Sequence, residues 1–109
     1  MMARMKPSVA LTGLVATLLV CPPAKARDAD PRNGQMLAQQ TCADCHAIRP
    51  QEDRSPVARA PTFQELATTP GMNTTALSVA LTTPHAGMPM FKLTAEQAAD
   101  VIAYILSLR

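Results

Sequence analysis

Cys42-Ala43-Asp44-Cys45-His46 narrows what this chain can be more than any other stretch of it. Two thiols three residues apart share a helical face, and a histidine follows the second thiol at once. A Cys-x-x-Cys-His run is the attachment site of a c-type haem. The thiols add to the haem vinyl groups as thioethers, and the histidine is held under the iron as an axial ligand. A Cys-x-x-Cys pair without the histidine is a weaker sign, because it also serves thiol–disulfide exchange or forms half of a zinc site. A zinc site needs further soft ligands, and His85 is the only other histidine in the chain. A thioredoxin-like pair normally sits on a βαβ pattern, which this sequence lacks. The expectation is therefore one covalent haem c at Cys42 and Cys45, with His46 as an iron ligand.

The thiols need an export route to be used in this way, and the first 26 residues read as one. Arg4 and Lys6 form a positive start, residues 9–20 are apolar, and Ala24-Lys25-Ala26 is a small-x-small cleavage signal. The apolar run is too short for a membrane span. The reading is a signal peptide at 1–26 and one domain at 27–109, in the periplasm, with no transmembrane segment after cleavage. An uncleaved anchor and a lipid-modified Cys21 are the alternatives, although Val20 is bulky for a lipoprotein signal. Cleavage removes Arg4, Lys6 and Lys25 and turns the net charge of +2 into −1, seven basic residues against eight acidic ones. No basic stripe remains to bind nucleic acid. Phe63, Phe91 and Tyr104 are the only aromatics, too few for a base-stacking platform. A domain this small and this poor in large side chains needs a staple, which a covalent macrocycle supplies.

The domain reads as all-α, about four helices and long loops wrapped around one haem. Asp30-Pro31 is a helix start, with the acid at the N-cap and proline at N1; the helix should run to about Asp44 and deliver the cysteines. Residues 48–60, with Pro50, Pro56 and no apolar period, read as a surface loop. Thr62 and Glu65 form a capping box for a short helix carrying Phe63, Leu66 and Ala67 inward. Asn73 or Thr74 caps a third helix. Residues 82–91 hold two prolines and a glycine and must be irregular. Thr94 and Gln97 form a second capping box, and Val101, Tyr104, Ile105 and Leu108 give the last helix one apolar face.

The iron needs a sixth ligand or an open position. Methionine thioether is a soft donor that partners histidine in electron-transfer haems and raises their potential. Met36 lies on the attachment helix and cannot reach the opposite face. Met72 follows Pro70-Gly71 and reads as packing. Met88 and Met90 lie in the irregular loop. Met88, held between Gly87 and Pro89, is the choice; Met90 is the second candidate and otherwise core filler. His85 as ligand, giving a bis-histidine iron, and no protein ligand at all remain open. The other ring N–H of His46 needs an acceptor, and the carbonyls at Ala60-Pro61 are the candidates. Arg59 is the nearest donor for a haem propionate, and otherwise a solvated charge.

Together these marks resemble the class I monohaem cytochromes c over the whole domain. They are Gly34 eight residues before Cys42, the Cys42/Cys45/His46 run, Pro61 before a helix, Met88-Pro89, and a final helix ending Ala-Tyr-Ile-Leu-Ser-Leu. The His-x-x-Met-Pro-x-Phe form, His85 to Phe91, is similar to a subgroup of small bacterial members. The resemblance implies that Gly34 lets the first and last helices cross closely, with Tyr104 at the crossing. It implies a periplasmic one-electron carrier, not an enzyme, whose partners are redox proteins: a donor dehydrogenase or cytochrome complex, and an acceptor oxidase or reductase. The alternative is a haem sensor or enzyme for a gas or peroxide, with a labile sixth ligand. A pyridine haemochrome spectrum of the exported protein should show c-type haem; a protein carrying only zinc or copper gives no such spectrum.

Overall fold

The computed structural model describes residues 20–23 and 27–109. The leader features Arg4, Lys6, Ala24, Lys25 and Ala26, and all of the apolar run but Val20, lie outside the described residues. The domain contains α1 (Pro31–Thr41), α2 (Phe63–Thr68), α3 (Thr74–Thr82) and α4 (Ala95–Leu106). Among the described residues there is no strand, only an isolated bridge between His85 and Met88, and no helix is long and apolar enough to cross a membrane. The all-α expectation is met.

Each helix begins where its side chains satisfy the free N–H groups of the first turn. Asp30 accepts from the Arg32 amide, with Pro31 following it into the helix. Thr62 and Glu65 close one capping box, Thr94 and Gln97 another, and Asn73 accepts from the Ala76 amide. The first helix stops earlier than expected. It ends at Thr41 with Cys42 as its C-cap. The chain then tightens: the Cys45 and His46 amides both donate to the Cys42 carbonyl. The three chemical residues therefore sit on a turn beyond the helix and not on its last face.

The last helix is the hub, and α1, α2 and α3 all pack on it. Its buried residues Val101, Ile102, Tyr104 and Ile105 meet Ala38, Ile48, Phe63, Ala67 and Leu77 in one core. The closest approach is at Gly34. A Cβ there would lie 1.9 Å from the Asp100 carbonyl oxygen and 2.9 Å from the Val101 amide. The residues opposite Gly34 are thus Asp100 and Val101, one turn before Tyr104. Tyr104 has a different partner: its hydroxyl donates to the Ile48 carbonyl at 2.7 Å. That bond pulls the start of the 48–60 segment inward. Ile48 is buried, so only the later part of that segment is a surface loop.

Asp100 stands out as a carboxylate with no exposed surface. Its oxygens accept from Arg27 at 2.6 and 3.0 Å, from the Asp30 amide at 2.8 Å, and from Asn33. The Arg27 guanidinium, then the Asp30 amide and Asn33, hold the carboxyl well below the usual carboxylate range against the opposing effect of burial. The same pairing raises the Arg27 guanidinium above its ordinary value. The acid thus fastens the segment before α1 across the α1–α4 crossing.

Gly34→Ala should destabilise the haem-loaded protein by about 3 kcal/mol, the upper end for overpacking, because the obstructing atoms are backbone. The gain in helix propensity, about 1 kcal/mol, is too small to offset this. Asp100→Asn should cost about 1.5–3 kcal/mol, the range for a hydrogen bond to a charged group. A depressed acid stabilises the fold above its unfolded value near about 4 and loses that contribution as pH falls towards its folded value. Urea titrations should therefore show a loss of stability below about pH 4 that is smaller in Asp100→Asn.

Candidate functional site

The turn after α1, the 57–61 segment and the 85–91 loop face one another across one open cleft. Thr41, Cys42, Cys45 and His46 form its floor. Val57, Arg59, Ala60 and Pro61 form one wall, and His85, Ala86, Gly87, Met88, Pro89 and Phe91 form the other. All four residues expected to hold the cofactor, Cys42, Cys45, His46 and Met88, thus border a single space.

The His46 side is held from several directions. His46 Nδ1 lies 2.7 Å from the Pro61 carbonyl oxygen. That oxygen can only accept, so Nδ1 carries the proton and the neutral ring keeps its lone pair on Nε2. The Pro61 carbonyl, one of the two expected at Ala60-Pro61, is the acceptor. Phe63, two residues on, packs against the His46 ring at 5.7 Å between centroids and against Tyr104 at 6.2 Å. The Phe63 amide donates to the Ala47 carbonyl, and the Val57 amide to the Cys45 carbonyl. Glu52 accepts from the Ile48 and Arg49 amides, and Ser55 from the Ala47 amide. The loop is irregular, but these bonds tie several of its polar groups back onto it and onto the 45–47 turn.

The thiols are free. Cys42 is buried and Cys45 half-buried. Burial, and then the neighbouring Cys45, push the Cys42 thiol above its ordinary value. The thiolate is the reactive form, so the two cysteines are inequivalent before attachment.

The opposite wall is a single tight turn. The Met88 amide donates to the His85 carbonyl at 3.3 Å, and Gly87 adopts φ +80°, a conformation open to glycine at little cost. Gly87 is also covered: a Cβ there would come within 3.2 Å of the Arg59 guanidinium. Arg59 thus reaches from one wall of the cleft to the other. Met88 is half-buried and faces the cleft. Met90 is 51% exposed and outside it, so its reading as core filler is corrected: its side chain lies on the surface. Met72 packs against the core as expected. Val57 and Thr41 border the cleft without any signal in the sequence, since neither belongs to an apolar period.

These residues fit a covalent haem c. Two free thiols and an imidazole with its ring N–H already tied to a carbonyl occupy one floor. A soft thioether faces the same space from the far wall, and carbon-rich side chains lie between. A model of the cytochrome c family matches residues 31–109. The chain is 36% identical over 102 residues to cytochrome c-552 of Bradyrhizobium diazoefficiens, an alignment spanning 91% of this chain and 95% of that protein. No solved structure gives a significant match.

In the haem-free chain, iodoacetamide at mildly alkaline pH should modify Cys45 before Cys42, read by peptide mass spectrometry. Equal rates would mean that burial does not protect Cys42.

Proposed function

The chain belongs to the cytochrome c family, which carries covalently bound haem c, and from that premise we propose an exported one-electron carrier with its iron between His46 and Met88. The observation that carries the proposal is the meeting of His46 and Met88 at one cleft, the histidine already oriented by Pro61. Bound there, the haem supplies an Fe(II)/Fe(III) couple.

The side chains divide the work. Cys42 and Cys45 provide the sulfurs for the two thioether links. His46 presents Nε2 to the iron, while the Pro61 carbonyl holds its Nδ1–H, fixes the tautomer and increases ligand basicity. Met88 presents a thioether, which raises the potential relative to a second nitrogen. Val57, Ala60, Pro61, Pro89 and Phe91 would line the haem with carbon-rich surface. An iron that keeps both ligands changes little when one electron is gained or lost. Val57 and Phe91 are partly exposed and line the cleft, and they offer apolar surface to a redox partner.

Partners would be redox proteins, a dehydrogenase or cytochrome complex as donor and an oxidase or reductase as acceptor. Such encounters are weak and small in area. The net charge of about −1 after cleavage gives little long-range steering. Location in the periplasm follows from the leader reading, with cleavage after Ala26 and a domain at 27–109. Intact mass of the exported protein should correspond to a chain starting at Arg27 plus one haem; a chain starting at Cys21 with a lipid mass overturns the leader assignment.

Met88→Ala in the holoprotein should abolish the near-infrared sulfur–iron charge-transfer band of the ferric state. Met90→Ala should leave it in place. The reverse result assigns the ligand to Met90.

A further inference from the structure

Two histidines border the cleft, and both hold their rings in the same way. His46 donates its Nδ1–H to the Pro61 carbonyl. His85 Nδ1 lies 3.1 Å from the Thr83 carbonyl oxygen, which can only accept, so it too carries a proton. A ring N–H tied to a carbonyl is the usual state of a metal-ligating histidine. The proposed carrier function gives His85 no role.

The second ring nitrogen is also in the right place. His85 Nε2 lies 3.1 Å from Met88 Sδ. The backbone accounts for the contact: the turn bond from Met88 to His85 and the positive φ of Gly87 bring the two ends of this four-residue turn together. The turn therefore offers two donors of different chemistry, thioether and imidazole, at one point on the cleft wall. Exchanging them requires side-chain rotation on a turn that stays closed. No helix has to move. Met90 and Lys92, the other potential donors nearby in sequence, do not border the cleft.

We infer that His85 is a reserve axial ligand, which takes the iron position of Met88 whenever the thioether is displaced. The inference rests on the His46/Met88 reading above. Its consequence is a defined one. Loss of the methionine leaves the iron six-coordinate and closed to small molecules, at a lower potential because nitrogen replaces the thioether. The alternative of a gas- or peroxide-binding iron would require that position to open.

The test uses haem-loaded wild type, Met88→Ala, His85→Ala and the double variant, with circular dichroism confirming a common fold. Wild type and His85→Ala should both show the sulfur–iron band. Met88→Ala should lose the band, remain low-spin with the electron paramagnetic resonance of bis-nitrogen ligation, and fail to bind carbon monoxide when reduced. The double variant should become high-spin and bind carbon monoxide at once. If Met88→Ala is already high-spin and binds carbon monoxide as the double variant does, the reserve-ligand inference is overturned and the Met88 assignment stands. A double variant that stays low-spin gives the role to another side chain and overturns it too. If Met88→Ala keeps the band, the Met88 reading itself fails. If wild type lacks the band and His85→Ala alone opens the iron, His85 is the resident ligand and not the reserve.

Discussion

The hydrogen bond from the His46 ring to the Pro61 carbonyl is the contact on which the site depends. It ties the turn that carries both thiols to the wall opposite Met88, across the irregular loop of residues 47–60. Without it, the imidazole is free to rotate and to exchange tautomers, and neither nitrogen has a fixed direction. Several other features keep its two ends in register. Phe63 supports the ring from behind, the capping box of α2 fixes the chain just after Pro61, and Tyr104 anchors Ile48 to α4. Gly34 and Asp100 bring α1 and α4 together, which sets where α1 ends and hence where Cys42 begins its turn.

The two walls of the cleft are built differently. The His46 side is braced by packed aromatics and by helices that share the core. The Met88 side depends on one turn, one glycine at positive φ, and the Arg59 guanidinium lying over it. A heavily cross-braced ligand faces one held mainly by local geometry. Local opening is less costly where few buried contacts are lost, so the proposed ligand exchange falls on the methionine wall. His85, already in contact with the Met88 sulfur, is consistent with that asymmetry.

Much of this was legible from residues with a single physical meaning. Asp30-Pro31, Thr62/Glu65, Asn73 and Thr94/Gln97 marked helix starts because short polar side chains satisfy first-turn amides in few other ways. The glycine and proline beside Met88 mark it in the sequence, and of the two methionines only Met88 borders the cleft. The misses concern features that depend on distant parts of the chain. Asp100 carries no local signal of burial, because nothing near it in sequence shows that Arg27, Asp30 and Asn33 converge on it. Ile48 and Val57 lie in a segment without periodicity, and their burial or placement depends on Tyr104 and on the cleft. The end of α1 was set too late because the Cys42 carbonyl accepts two amides, a tightening that composition does not reveal. Gly34 was correctly read as a close approach, but its neighbours are Asp100 and Val101, one turn from the aromatic.

The most direct measurement of the central claim is proton NMR of the reduced holoprotein, following the ring N–H of the iron-bound histidine. A fixed His46 Nδ1–H bonded to Pro61 should exchange slowly with water and show through-space contacts to Pro61 and Phe63. A rapidly exchanging ring proton, or contacts that place it against any segment other than 61–63, would contradict the account.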